Sequence, residues 1–120
     1  MSTLSKLVDH CVWANAEWIA FVADNFPSDE YLVTRMSHIL LGEQAWLQRI
    51  VGEEPDRNIW LMLTIAQLPE LHKRHKAVCA ELLAGNLERV IAYKRFTGEE
   101  YKSSISDITD YIQYCLLHHI

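Results

Sequence analysis

The strongest constraint on the fold is the helical spacing of apolar side chains, which is clearest between residues 105 and 120. There the residues of one face recur at alternating steps of three and four, and they are Ile105, Ile108, Ile112, Cys115 and His119. This spacing stacks side chains on one face of an α-helix. The face begins as plain hydrophobic core and ends with a thiol and an imidazole one turn apart. Both groups are transition-metal ligands, and an i, i+4 pair on a helix can chelate one ion.

Three earlier segments show the same period. The first runs from the start to about Asn25, with Asn15 interrupting an apolar stripe that consists of Leu4, Val8, Cys11, Trp18 and Val22. The second follows Ser28, which is a typical N-cap residue, and ends at Gly52, a typical residue just past a helix. The third begins at the capping-box pattern that starts at Thr64 and ends near Gly85.

The segment from Val90 to Tyr101 changes period, which predicts a small hairpin or an extended excursion around Thr97-Gly98. A second capping box, from Ser104 to Asp107, then opens the terminal helix. We therefore expect an all-α fold: a four-helix bundle with a short β-like crossover before the last helix. The 120 residues form one domain.

Composition excludes several classes of function. The net charge is −5 and no Lys/Arg cluster is dense enough to displace the counterions of a nucleic acid, which argues against nucleic-acid binding. No apolar run approaches the roughly 20 residues of a membrane helix, and Asp9 and His10 lie where a signal peptide would be apolar. The three cysteines are widely spaced and odd in number. We interpret them as reduced thiols of a cytoplasmic protein.

His38, Cys115 and His119 form the first group of candidate ligands. Two would come from the last helix and one from the second, and three protein ligands with an open fourth position are typical of a catalytic zinc-type site. The alternative is structural: Cys115 as a small buried hydrophobe, His119 as an imidazole favoured by the helix dipole, and His38 as a half-buried, hydrogen-bonded histidine. Spacing alone favours the structural interpretation.

His72, His75 and Cys79 form a second group on the third helix, at i, i+3 and i+7. One helix face could chelate a metal with these side chains, but three basic residues in the same segment would repel a cation. We therefore expect His72 on the solvated face and His75 and Cys79 in the core.

Asn15, Glu43 and Gln44 are polar residues beside apolar stripes. Each could fix the tautomer of a histidine through a hydrogen bond. The alternative is that they simply point to solvent.

Two motifs resemble the DinB/YfiT-like proteins. The segment VWANAEW (12–18) resembles the first-helix signature of that family, and SHILLGEQAWL (37–47) closely resembles its second-helix motif. The pattern from Gly98 through 105–108 into the last helix resembles the family's crossover. The resemblance implies a four-helix bundle that holds a divalent metal, often nickel or zinc, between helices two and four. It also implies frequent homodimers, and it makes His38 and His119 metal ligands.

This chain departs from the family pattern in two ways. Cys115 stands where the family has the first of two histidines, and His118 faces about 100° away from that position. Thiolate binds zinc well, so a Cys/His/His site is chemically reasonable, while a degenerate site is the alternative. The sequence also ends at Ile120, before the family's Arg-Gly-Gln, so we expect the end of the last helix to be missing.

The resemblance implies two classes of function. The first is a metal-dependent enzyme in which the ion activates a low-molecular-weight thiol for S-transfer or, as in a hydrolase, a water molecule. The second is a non-catalytic helical binding or stress-associated module with a decayed metal site. The residue pattern names no substrate, and it identifies no catalytic residue apart from the metal ligands.

Overall fold

The computed structural model describes residues 3–109 and is mostly helical. The elements in chain order are α1 (Thr3–Asn25), α2 (Glu30–Val51), α3 (Gln67–Ala84), β1 (Val90–Lys94) and β2 (Glu100–Ser104). A fourth helix, α4, begins at Ile105, and its described part covers residues 105–109. The four helices and the small two-stranded sheet are those expected from the sequence. Cys115 and His119 lie outside the described residues.

Local signals set most helix ends. Gly52 adopts a left-handed conformation with φ of 86°, as a glycine just past a helix does. The capping box before α3 is formed, because Thr64 N donates to Gln67 Oε1 and Gln67 N donates to Thr64 Oγ1. One prediction was wrong by a residue: the N-cap of α2 is Asp29, whose carboxylate accepts a hydrogen bond from Leu32 N, and not Ser28.

The predicted excursion is an antiparallel hairpin in which Val90 pairs with Ser104 and Lys94 pairs with Glu100. Gly98 lies in the connecting turn with φ of 95°, a conformation that glycine adopts without strain. Ser104 then caps α4, since its Oγ accepts a hydrogen bond from Asp107 N at 3.1 Å. The hairpin therefore leads the chain directly into the fourth helix.

The main core lies among α1, α2, α3 and the start of α4, with Leu40 and Leu68 fully buried at its centre. Ile105 and Ile108 belong to this core, as the terminal stripe predicts. The prediction for α1 was partly wrong: Trp18 is 39% exposed, while Asn15 is buried and Ile19 takes the next inward position. The inward face therefore continues through Asn15 instead of being interrupted there.

Within residues 3–109, no helix is both long enough and apolar enough to cross a lipid bilayer.

Candidate functional site

His38 lies on α2, half-buried, and the loop between α2 and α3 holds its imidazole on two sides. The Nδ1 atom is 2.8 Å from the backbone carbonyl oxygen of Ile59. The indole of Trp60 stacks on the imidazole, with the ring centroids 3.5 Å apart and the planes 9° apart. The hydrogen bond therefore fixes the rotation of the ring within its plane, and the stacked indole fixes the tilt of that plane.

The loop stays in this position because Ser37, the neighbour of His38, ties it to the helix. Ser37 is fully buried. Its hydroxyl donates to the carbonyl of Val33 at 2.7 Å and accepts a hydrogen bond from the backbone N–H of Leu63 at 2.9 Å. Ile59 also packs against the main core. Ser37 and His38, which are adjacent on α2, thus bind the loop at two points, Leu63 and Ile59, that are four residues apart.

The bond to Ile59 decides the tautomer of His38. A backbone carbonyl only accepts hydrogen bonds, so Nδ1 carries the proton and the neutral ring has its lone pair on Nε2. Metal-binding histidines are commonly oriented in this way, with one ring N–H donated to a backbone carbonyl and the other nitrogen facing the ion. The geometry of His38 therefore fits a metal ligand. Cys115 and His119, the other two predicted ligands, lie outside the described residues.

A second histidine site lies in the interior. His75 Nδ1 is 2.6 Å from Glu43 Oε1, and both side chains are more than 90% buried. This contact joins α3 to α2. Of the two alternatives for Glu43, the structure therefore shows the first: its side chain does not point to solvent but fixes a histidine, which is His75. Gln44 instead donates to the Asp56 carboxylate at 3.3 Å, across to the loop.

His72 is buried as well, at 8% exposure, so its predicted place on the solvated face was wrong. Lys73, Arg74 and Lys76 are exposed around it, while the buried His72 lies near Glu43, His75 and the backbone of Val12 on α1. Burial lowers the pKa of His72 below its usual 6.5, the nearby Glu43 opposes this shift, and His75 adds to it. His72 is therefore neutral at pH 7.

The two described cysteines, Cys11 and Cys79, are free, buried thiols. Both lie near the Glu43 carboxylate. Burial, assisted by the Glu43 carboxylate, raises the pKa of Cys79 to about 12. The same two causes raise the pKa of Cys11. Both thiols therefore stay protonated at neutral pH and are poor nucleophiles. The predicted burial of Cys79 and His75 in the core is confirmed.

Sequence reasoning missed Ser37, Ile59 and Trp60, the three residues that hold His38 in place. Ser37 gave no signal, because a serine inside a helix usually bonds only the preceding turn. Trp60 lies in an irregular loop, where no period predicts which residue reaches the helix. In the stretch from Thr3 to Thr109, no group of three or more His, Cys, Asp or Glu side chains is arranged to hold a metal ion.

The chain was compared with family models, with curated proteins and with solved structures, and none of them matches it.

Proposed function

We propose that this chain is a cytoplasmic, metal-dependent enzyme of the four-helix-bundle type, in which His38, Cys115 and His119 hold zinc or nickel. Its reaction is transfer of a low-molecular-weight thiol to an electrophile, with hydrolysis as the second possibility. The basis is the resemblance of residues 37–47 to the DinB/YfiT-like second-helix motif, together with the geometry of the one proposed ligand that lies within residues 3–109.

The bond from His38 Nδ1–H to the Ile59 carbonyl is the observation that carries this proposal. This bond leaves the lone pair of the neutral ring on Nε2, and the stacked indole of Trp60 fixes the plane of the ring. Pre-orientation of this kind reduces the entropy lost when a ligand binds an ion. It also makes the ring a stronger donor, because the carbonyl supports the developing positive charge on the imidazole.

When bound, such an ion lowers the pKa of a coordinated thiol or water. The surrounding residues of this chain position the ligand. Ile59 and Trp60 orient His38, and Ser37 keeps the loop that carries both of them against α2. Trp60 is 62% exposed, so it also forms part of the wall between the imidazole and solvent.

The same proposal includes a homodimer in which the partner chain packs against exposed aromatic residues. Four of these follow one another along α1 and the turn after it: Trp13, Trp18, Phe21 and Phe26, with exposures between 39% and 60%. Sedimentation equilibrium checks this part separately. We expect a dimer that Trp13→Glu weakens, and a monomer at every protein concentration contradicts it.

The test of function is His38→Ala, with His10→Ala as the matched control because His10 is an exposed histidine. We expect the purified wild-type and His10→Ala chains to hold one zinc or nickel ion per chain and to transfer a test thiol to an electrophile. His38→Ala should lose both properties and keep its helical circular-dichroism spectrum. Turnover that persists in metal-free His38→Ala excludes the enzyme proposal. Wild-type chain without stoichiometric metal, and with a melting temperature unchanged by chelator, favours the non-catalytic module.

A further inference from the structure

A cavity of about 280 Å³ is lined by the end of α2, the loop that follows it and the β1–β2 hairpin. The charged residues of its lining are Arg49, Glu53, Glu54, Arg57, Lys94 and Arg95. Four of these six are basic, although the chain as a whole has a net charge of −5. The cavity therefore concentrates positive charge that the rest of the chain does not share.

Neutral groups hold two of the arginines in place. Arg49 Nε donates to the backbone carbonyl oxygen of Lys94 at 3.1 Å, and Arg57 Nη1 donates to that of Phe96 at 3.0 Å. The guanidinium carbons of Arg49 and Arg57 also lie over the ring of Phe96, at 4.7 and 5.1 Å from its centroid. Two positive charges therefore lie against one aromatic ring, and their contacts orient them without neutralising them.

The charge of the third arginine is not neutralised either. Arg95 lies over the ring of Tyr101, 4.6 Å from its centroid, and no carboxylate among residues 3–109 forms an ion pair with any of the three arginines. Burial lowers the pKa of Arg49 below its usual range. The charges of Arg57 and Arg95 add to this shift, while Tyr93 opposes it. The three like charges are thus close enough to repel one another, and a bound anion would offset this repulsion.

We propose that Arg49, Arg57 and Arg95 bind the phosphate group of a small molecule in this cavity. Each guanidinium has five N–H donors, and Arg49 and Arg57 each use only one of them within residues 3–109. A phosphate group has oxygens that point in several directions and can accept from several guanidinium groups, whereas a carboxylate matches a single arginine in one plane. Arg49 is half-buried and the other two are exposed, so a dissolved ligand reaches all three.

The other residues of the lining restrict the kind of ligand. Glu53 and Glu54 weaken the attraction for an anion at a distance, so binding depends on direct hydrogen bonds from the guanidinium groups. The half-buried rings of Tyr93 and Phe96 offer apolar surface to the remainder of an organic phosphate. The volume of about 280 Å³ limits that ligand to a small molecule.

Calorimetry with phenyl phosphate tests the site, in a phosphate-free buffer with chelator so that no metal ion holds the phosphate. His38 lies roughly 16 Å from Arg49 along α2, so the result does not depend on the proposed metal centre. We expect Arg57→Gln and Arg95→Gln each to weaken binding at least about tenfold, because each removes charge-assisted donors. Arg89→Gln is the control, since Arg89 is exposed and lies outside the lining. No binding to the wild-type chain, or equal losses in all three variants, overturns the proposal.

Two further ligands define the chemistry of the site. Benzoate carries a carboxylate on the same ring, and benzoate that binds as tightly as phenyl phosphate overturns the assignment to phosphate. Inorganic phosphate distinguishes the sources of the group. Binding weaker than that of phenyl phosphate identifies an organic ester as the ligand, and equal binding identifies free phosphate; both results support a phosphate site.

NMR spectra of the wild-type chain locate the site even if a variant fails to fold. Gly52 and Gly98 line the cavity, and Gly85 does not. We expect phenyl phosphate to shift the amide signals of Gly52 and Gly98 and to leave that of Gly85 in place. Binding that shifts neither Gly52 nor Gly98 overturns the location.

Discussion

His38 and His75 are both held through Nδ1, but by partners of opposite character. A neutral backbone carbonyl in a loop holds His38 beside a largely exposed indole. A buried carboxylate on a neighbouring helix holds His75 inside the core. Both partners select the same tautomer. The difference is in what depends on the contact: the first sets the orientation of a ring near the surface, while the second joins two helices and is part of the stability of the fold.

The largest effect should follow from removal of the interior partner. Glu43→Leu leaves His75 Nδ1–H unpaired in the core, and loss of a charged partner from a buried hydrogen bond costs more than the about 1–3 kcal/mol of a neutral one. Urea unfolding measures this loss. Glu100→Gln is the control, since the Lys94–Glu100 pair is 3.7 Å long with side chains 68% and 78% exposed, and it should cost less than about 1 kcal/mol. Equal losses for the two variants would falsify a structural role for the interior pair.

Ser37→Ala should have the next largest effect. It removes the acceptor of the buried Leu63 N–H and so should lower the free energy of unfolding by about 1–3 kcal/mol. It should also loosen the loop that orients His38 and weaken zinc binding there. Ser28→Ala, at an exposed serine, is the control. If Ser37→Ala unfolds in urea like the control, the loop is held by other contacts.

Trp60→Ala should separate orientation from stability. Because the indole is 62% exposed, its loss should change the unfolding free energy little. Loss of the stacked ring should weaken zinc binding at His38 roughly 10–100-fold, the range found when groups behind a metal ligand are removed. Trp13→Ala removes a tryptophan of 60% exposure that is remote from the site. Equal zinc affinities in the two variants would show that stacking does not contribute.

The smallest effect concerns pH, and it is measured with chelator present. Burial lowers the pKa of His72 in the folded chain below the 6.5 of the unfolded chain. As the pH falls below about 6.5, the unfolded chain therefore takes up this proton first, and stability is lost toward acid. His72→Phe should flatten the dependence of the unfolding free energy on pH between 7.5 and 5, and His10→Phe should not. A slope that is the same in all three chains contradicts a neutral, buried His72.

The helices, the hairpin and all of the predicted caps except the N-cap of α2 follow from the sequence because their causes are local. Thr64 with Gln67, Ser104 with Asp107, and Gly52 act within one turn of the chain, so residue type and spacing predict them. Ile105 and Ile108 were placed correctly for the same reason, since a stripe at helical spacing has to be buried.

The errors that bear on the candidate sites concern polar residues whose surroundings include other helices or loops. Asn15 interrupts an apolar stripe in the sequence, yet it is buried in the structure. His72 lies between basic neighbours that suggested solvent, and only its contact with Val12 on α1 shows which way it turns. Ile59 and Trp60 contact His38 because the loop that carries them follows a path fixed by the hydrogen bond between Ser37 and Leu63. Such contacts join residues distant in sequence, and no periodic pattern encodes them.

X-ray absorption at the zinc edge of the zinc-loaded chain tests the proposed His38 site most directly. We predict a shell with nitrogen at about 2.0–2.1 Å and one sulfur at about 2.3 Å, from His38, His119 and Cys115. Cys115→Ser should remove the sulfur, and His38→Ala should remove an imidazole. A shell of oxygen and nitrogen alone, unchanged by both substitutions, contradicts a metal centre built on His38.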